Sequence, residues 1–123
     1  MAATELAVCL PPVILLVVAS IECTNMIFVD HSLSIAAYEA ARHAGAKQAT
    51  SSDVESRCNE ILTGRRIAGT TVTLTPSDIT SAVPGQQVTV TVSAGCAENA
   101  SLFPMWFFNG HRMTSSVTMV RED

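Results

Sequence analysis

From Leu6 to Ile21 the chain reads LAVCLPPVILLVVASI, sixteen residues without a charge, with one carboxylate on each side, Glu5 and Glu22. No other stretch restricts the fold as strongly. An apolar run of this kind is a helix that enters a bilayer or a packed bundle. Taken as a helix it measures roughly 24 Å, short of the roughly 30 Å hydrocarbon core. Extension through Cys23–Val29 reaches across, but only by carrying Glu22 along. Glu5 adds a second constraint, because an unpaired carboxylate in apolar surroundings is costly and needs a cation. The nearest one of known position is an α-amino group, that of Met1 or of a neighbouring copy. The run is no ordinary secretory signal: the basic start is missing and a glutamate stands in its place. A helix that lodges in a membrane for a time and then packs among its own copies meets these constraints better than a permanent lipid-facing anchor.

Pro11 and Pro12 fall about three turns into this helix. They remove two amide donors and crowd the preceding carbonyls, so a kink or a loosened turn is expected there. The sequence leaves open whether this is a simple membrane-helix kink or a point where the helix stretches or bends in an assembly. Beyond Ser20 the pattern becomes amphipathic up to Lys47: Met26, Val29, Leu33, Ala36, Ala37, Ala40, Ala41 and Ala44 recur in three- and four-residue steps. Small alanines allow close approach of another helix or of a sheet. Glu39 and His43, four apart, are placed to pair. His31 and His43 have no neighbours that complete a metal set, and solvated or capping roles are expected for them. Gly45 and the QATSS stretch after it end the helix.

Ser52-Asp53-Val54-Glu55 reads as a capping box opening a short helix, with Val54, Cys58, Ile61 and Leu62 on its buried stripe. Gly64 is placed to end it in a left-handed turn. TTVTLT (70–75) and QQVTVTVSAG (86–95) alternate as half-buried strands, with Pro76-Ser77-Asp78 and Pro84-Gly85 between them. SSVTMV (115–120) is a third strand. The expected fold is α+β: a long N-terminal helix, a short second helix and a three-stranded antiparallel sheet, a meander packed on the small-residue half of the long helix. Its organisation is expected to be a hydrophobic helix, residues 1–29, followed by a globular head, residues 30–123, that includes the second half of the long helix.

Leu102, Phe103, Met105, Trp106, Phe107 and Phe108 crowd into a short segment. They either fold back to plug the core or form an exposed patch, with Phe103, Trp106, Phe107 and Phe108 as a subunit contact. Asn99-Ala100-Ser101 matches a glycosylation sequon, a tripeptide common by chance. Net charge is −4, and the seven basic residues are scattered from Arg42 onward without a patch of interleaved aromatics, which argues against nucleic acid as a partner. No Gly-x-Ser-x-Gly, phosphate-binding glycine loop or His-Glu-x-x-His occurs, so an enzyme is not expected, nor is a cofactor or metal.

Four cysteines divide by location. Cys9 and Cys23 are fourteen residues apart in the apolar helix, roughly 21 Å, too far to pair within one chain. Cys58 and Cys96 fall in the head. A Cys58–Cys96 disulfide joining helix to sheet is expected if the head lies outside the cytoplasm; two free buried thiols are the alternative in a reducing compartment.

MAATELAVCLPPVILLVVASIE, followed by LSIAAYEAARHAGA, resembles the N-terminus of a type IV pilin-like protein, and more narrowly the TadE-like pseudopilins of tight-adherence pilus systems. The matching positions are Glu5, Pro11, Glu22, Ala36-Ala37 and Ala40-Ala41-Arg42, and the resemblance covers about the first 48 residues. It implies a chain cut by a prepilin peptidase so that the glutamate stands fifth. It implies a structural subunit, held in the inner membrane before assembly and handed by the pilus assembly machinery into an extracellular filament of its own copies. Met1, Glu5, Pro11, Pro12 and Glu22 are then assembly residues. Two alternatives stay open: a single-pass membrane protein with an extracytoplasmic binding module, and a minor subunit that primes or tips a fibre built from another protein.

Overall fold

The structure, a computed structural model, describes residues 1–102 and 110–122. Helix α1 spans Ala2–Gly45 and α2 spans Ser51–Gly64. Strand β1 (Thr70–Thr75) is joined through a 3-10 turn at Ile79–Ser81 to β2 (Gln87–Gly95). A single helical turn, α3 (Cys96–Asn99), leads towards β3 (Arg112–Val120). The sheet is antiparallel in the order β1-β2-β3. This is the α+β arrangement the residue patterns predict.

The two halves of α1 live in different surroundings. From Ala2 to Ile21 the helix is exposed, with Val18 alone half-buried. From Glu22 onward it turns a continuous face into the head, through Val29, Ser32, Leu33, Ala36, Ala37, Ala40, Ala41 and Ala44. Those alanines, all fully buried, keep the helix surface shallow, so that β2, β3 and α2 can pack directly on it. The bulk comes from the facing side: Val88, Val90 and Val92 of β2, Leu62 of α2 and Ile79 of the 3-10 turn are fully buried, each adding about 1.5–3 kcal/mol of apolar burial. Gly45 ends the face at a point of contact: a Cβ there would stand 3.2 Å from the Val120 carbonyl oxygen, and the Glu122 amide donates to the Gly45 carbonyl at 2.8 Å.

On its outer face the sheet is a grid of hydroxyls. Thr71, Ser93 and Thr114 form one row across the strands, Thr73, Thr91 and Ser116 the next, and Thr75, Thr89 and Thr118 the third. The β2–β3 pairs Thr89–Thr118 and Thr91–Ser116 hydrogen-bond at 2.8 and 2.9 Å. Alternation with period two therefore puts mainly apolar side chains inward and hydroxyls outward across these three rows, with Ser115 the inward hydroxyl and Val120 the outward valine.

Several boundaries differ from the sequence expectations. The capping box of α2 is set two residues earlier: Thr50 is the N-cap, its hydroxyl accepting from the Asp53 amide at 3.2 Å, while the Asp53 carboxylate accepts from Thr50. These bonds from Thr50 hold the Asp53 carboxyl below its usual range. Asp53 does the work expected of Glu55, and Thr50 that expected of Ser52; Ser51, the first helical residue, instead donates to the Ser77 carbonyl and accepts from the Ile79 amide. Gly64 stays helical, and the left-handed residue is Arg66. Strand β3 starts at Arg112 rather than Ser115, because β2 pairs along its full length. Helix α1 runs through Pro11 and Pro12 without a break, which leaves the Ala7 and Val8 carbonyls without their usual amide donors.

If the alanine face sets the separation of helix and sheet, a larger side chain on it will force them apart. Ala40→Leu is expected to destabilise the head by about 1–3 kcal/mol, read as a lower urea midpoint in detergent. Tyr38→Ala, on the exposed side of the same turn, is expected to stay within about 0.5 kcal/mol of the parent.

Candidate assembly surface

The exposed half of α1 is a cylinder of large apolar side chains. Leu6, Val8, Leu10, Val13, Ile14, Leu15, Leu16, Val17 and Ile21 are each about half exposed or more. Such a surface is not left in water. Glu5 is the one charge within it, and Thr4 beside it donates to the Met1 carbonyl at 2.7 Å. Among the described residues the Glu5 carboxylate has no cation or hydrogen-bond donor: the single ion pair joins Arg57 and Glu60. Glu5 is thus an acceptor without a partner among the described residues of its own chain. Glu39 and His43, placed to pair by spacing, do not form an ion pair.

Glu22 behaves in the opposite way. It is 5% exposed, and both carboxylate oxygens are occupied: Oε1 accepts from the Ser101 amide at 2.8 Å and Oε2 from the Leu102 amide at 3.0 Å. One turn further, Asn25 donates to the Asn99 carbonyl at 2.6 Å. Asn99 in turn donates to the Ala68 and Gly95 carbonyls and accepts from the Ala68 amide, each at 2.8 Å. The sequon asparagine is therefore fully committed to structural hydrogen bonds. Beside this cluster the Arg65 guanidinium lies 5.8 Å from the centre of the Phe28 ring and donates to Ser32 at 3.4 Å.

At the other end of the head, Arg121 is a buried cation that spacing alone did not single out. It is 7% exposed and donates to the Ala44 and Ala49 carbonyls at 3.3 Å. A positive side chain at the carbonyl end of α1 matches the partial negative charge there. The sequence signal for it is weak, since Arg121 lies more than seventy residues from the carbonyls it caps.

Cys58 and Cys96 are both buried free thiols and form no disulfide in this structure. Cys58 sits within the core between α2 and α1, whereas Cys96 opens α3 at the end of β2, outside that cluster. Burial pushes the Cys58 thiol up to about 11, and burial together with Glu98 raises Cys96. Cys9 and Cys23 are exposed on α1 and unpaired, in keeping with their spacing. Phe103, Trp106, Phe107 and Phe108, the expected subunit contact, lie outside the described residues. Among the described residues no group of three His, Cys, Asp or Glu side chains is arranged to hold a metal ion.

A helix with one bare apolar half and the other half built into an α+β head defines a helix-anchored head protein, and α1 is long and apolar enough to cross a membrane. Residues 1–42 match the TadE-like protein family, so the match takes in α1 almost to its end and stops before the rest of the head. Helix and match together fit a pilus-related pseudopilin. No curated protein and no solved structure matches the chain.

The Cys58 environment gives a direct check on the head. A thiol titrating at about 11 rather than its ordinary 9.0 is expected to react with a maleimide at pH 8 roughly two orders of magnitude more slowly than in the unfolded chain. Because the folded value is the higher one, this thiol's contribution to stability is intact below pH 9 and is lost as pH rises through 11. Urea midpoints between pH 8 and 11 check that fall.

Proposed function

We propose that this chain is a pilin or pseudopilin: a structural rather than catalytic subunit that polymerises through α1 into an extracellular, type IV-like pilus filament. The observation that carries the reading is the split burial of α1, whose first half is apolar and bare while its second half is fixed in the head. Before assembly the bare half rests in the inner membrane, with the head outside the cytoplasm. Prepilin peptidase and the pilus assembly machinery are the partners at that stage. Assembly moves the helix from lipid into a bundle of identical helices, where packing and exclusion of water hold the copies together.

Within that bundle Glu5 takes the sharpest role. Its carboxylate pairs with the α-amino group of Met1 on a neighbouring copy, in surroundings of low dielectric constant. Desolvation offsets much of the attraction, so the pair sets axial register more than it adds cohesion. Removing one partner is another matter, since it leaves a buried ammonium without its counter-charge. The family match over residues 1–42 supports this reading, as does the absence of any partner for Glu5 among the described residues of its own chain.

Glu5→Ala and Glu5→Gln are expected to insert in the membrane at parental levels and to lose most of the filament recovered by shearing. The fractions are compared by immunoblot. Parental filament yield from either variant contradicts the role given to Glu5.

A further inference from the structure

The clamp on Glu22 says where the membrane ends. Toward the N-terminus from Glu22, α1 offers about 20 residues, Ala2 to Ile21, roughly the 30 Å of a bilayer's hydrocarbon core. Glu5 is the only charged side chain among them. By sequence Glu22 borders this apolar length, yet its carboxylate is withdrawn from it and held by the Ser101 and Leu102 amides. Those two donors replace water around the charge, so the helix can be buried up to Ile21 without an unsolvated carboxylate at its outer end. Asn25 fixes the same segment of the head through Asn99. Ile21 and Leu102, at 50% and 47% exposed, lie on either side of the clamp as its apolar border.

We infer that the Glu22–Ser101–Leu102 clamp seats the head on the outer surface of the lipid bilayer and fixes the depth of α1 in it before assembly. This rests on the membrane-inserted stage of the function proposed above. The occupant of the bare helix at that stage is lipid, because the length from Ala2 to Ile21, with Glu5 its only charge, matches the hydrocarbon core and ends at a residue whose charge the head absorbs. Without the clamp the nearest charge beyond Glu22 is Asp30, roughly 12 Å along the helix, and α1 is free to sink by part of that distance.

The native cysteines report the depth. Cys9 lies inside the proposed span and Cys23 just beyond it, both exposed on the protein, while buried Cys58 reports whether the head is folded. The full chain is placed in phosphatidylcholine nanodiscs, one copy per disc, and labelled with a membrane-impermeant maleimide, each site being followed by peptide mass. The expected result is Cys23 labelling roughly tenfold or more faster than Cys9, since the reactive thiolate forms in water and not in lipid, with Cys58 silent. In Glu22→Leu the Cys23 rate is expected to fall towards that of Cys9, with Cys58 still silent; Glu22→Gln, which keeps an acceptor for one amide, stays near the parent.

Equal protection of Cys9 and Cys23 in the parent overturns the boundary while leaving membrane insertion intact. Equal labelling of both overturns insertion, and with it the membrane stage of the proposed function. Protection of Cys9 that appears only with several copies per disc assigns the surface to a second copy rather than to lipid. An unchanged Cys23 rate in Glu22→Leu with Cys58 silent overturns the clamp as the depth gauge. Should Glu22→Leu open the head, seen as Cys58 labelling, the contrast between Cys9 and Cys23 in the parent still decides where the boundary lies.

Discussion

Everything in the head depends on one contact, the alanine face of α1 against the valine face of the sheet. Ala36, Ala37, Ala40, Ala41 and Ala44 contribute little volume of their own. Their value is that they let β2 and β3 lie close, so that Val88, Val90, Val92 and Leu33 are wholly removed from water. Because interiors are packed like crystals, such a face tolerates little change in volume. It also joins the head rigidly to the helix. Whatever holds the first half of α1 also positions the sheet, α2 and the hydroxyl grid on the outer surface.

Charge is distributed in keeping with that division. Arg121 closes the carbonyl end of α1 inside the head, Glu22 is taken up where the helix leaves the head, and Glu5 alone is left in the bare half. Two of these three charges are therefore satisfied within the monomer. The third, Glu5, has no partner among the described residues. The proposed function supplies one on a neighbouring copy, and a lone carboxylate in an apolar cylinder is what supports reading this molecule as one member of an assembly.

Much of this was legible in the residues. The uncharged run and its flanking glutamates announced the helix, the alanine steps announced its buried face, and the alternation of valine with threonine announced the strands and their inward side. What escaped was long-range. Glu22 binds backbone amides 79 and 80 residues away, and backbone amides have no signature in a sequence. Arg121 is hidden for the same reason. The capping box is ambiguous in the sequence because Ser52–Glu55 and Thr50–Asp53 satisfy the same pattern, and the chain uses the earlier one. The Cys58–Cys96 disulfide is expected only if the head lies outside the cytoplasm, and residue patterns do not state the compartment; the structure has the two as free buried thiols. The family match has the same limit, since it covers residues 1–42 and leaves most of the head to physical reasoning.

The most direct test of the account is a cryo-EM reconstruction of filaments sheared from cells that produce this chain. The account predicts a core built from α1, with Leu6–Ile21 of each copy buried among its neighbours and the Glu5 carboxylate within hydrogen-bonding distance of the α-amino group on an adjacent copy. Filaments whose core has no place for this helix, or a chain found only as separate copies in the membrane, would contradict it.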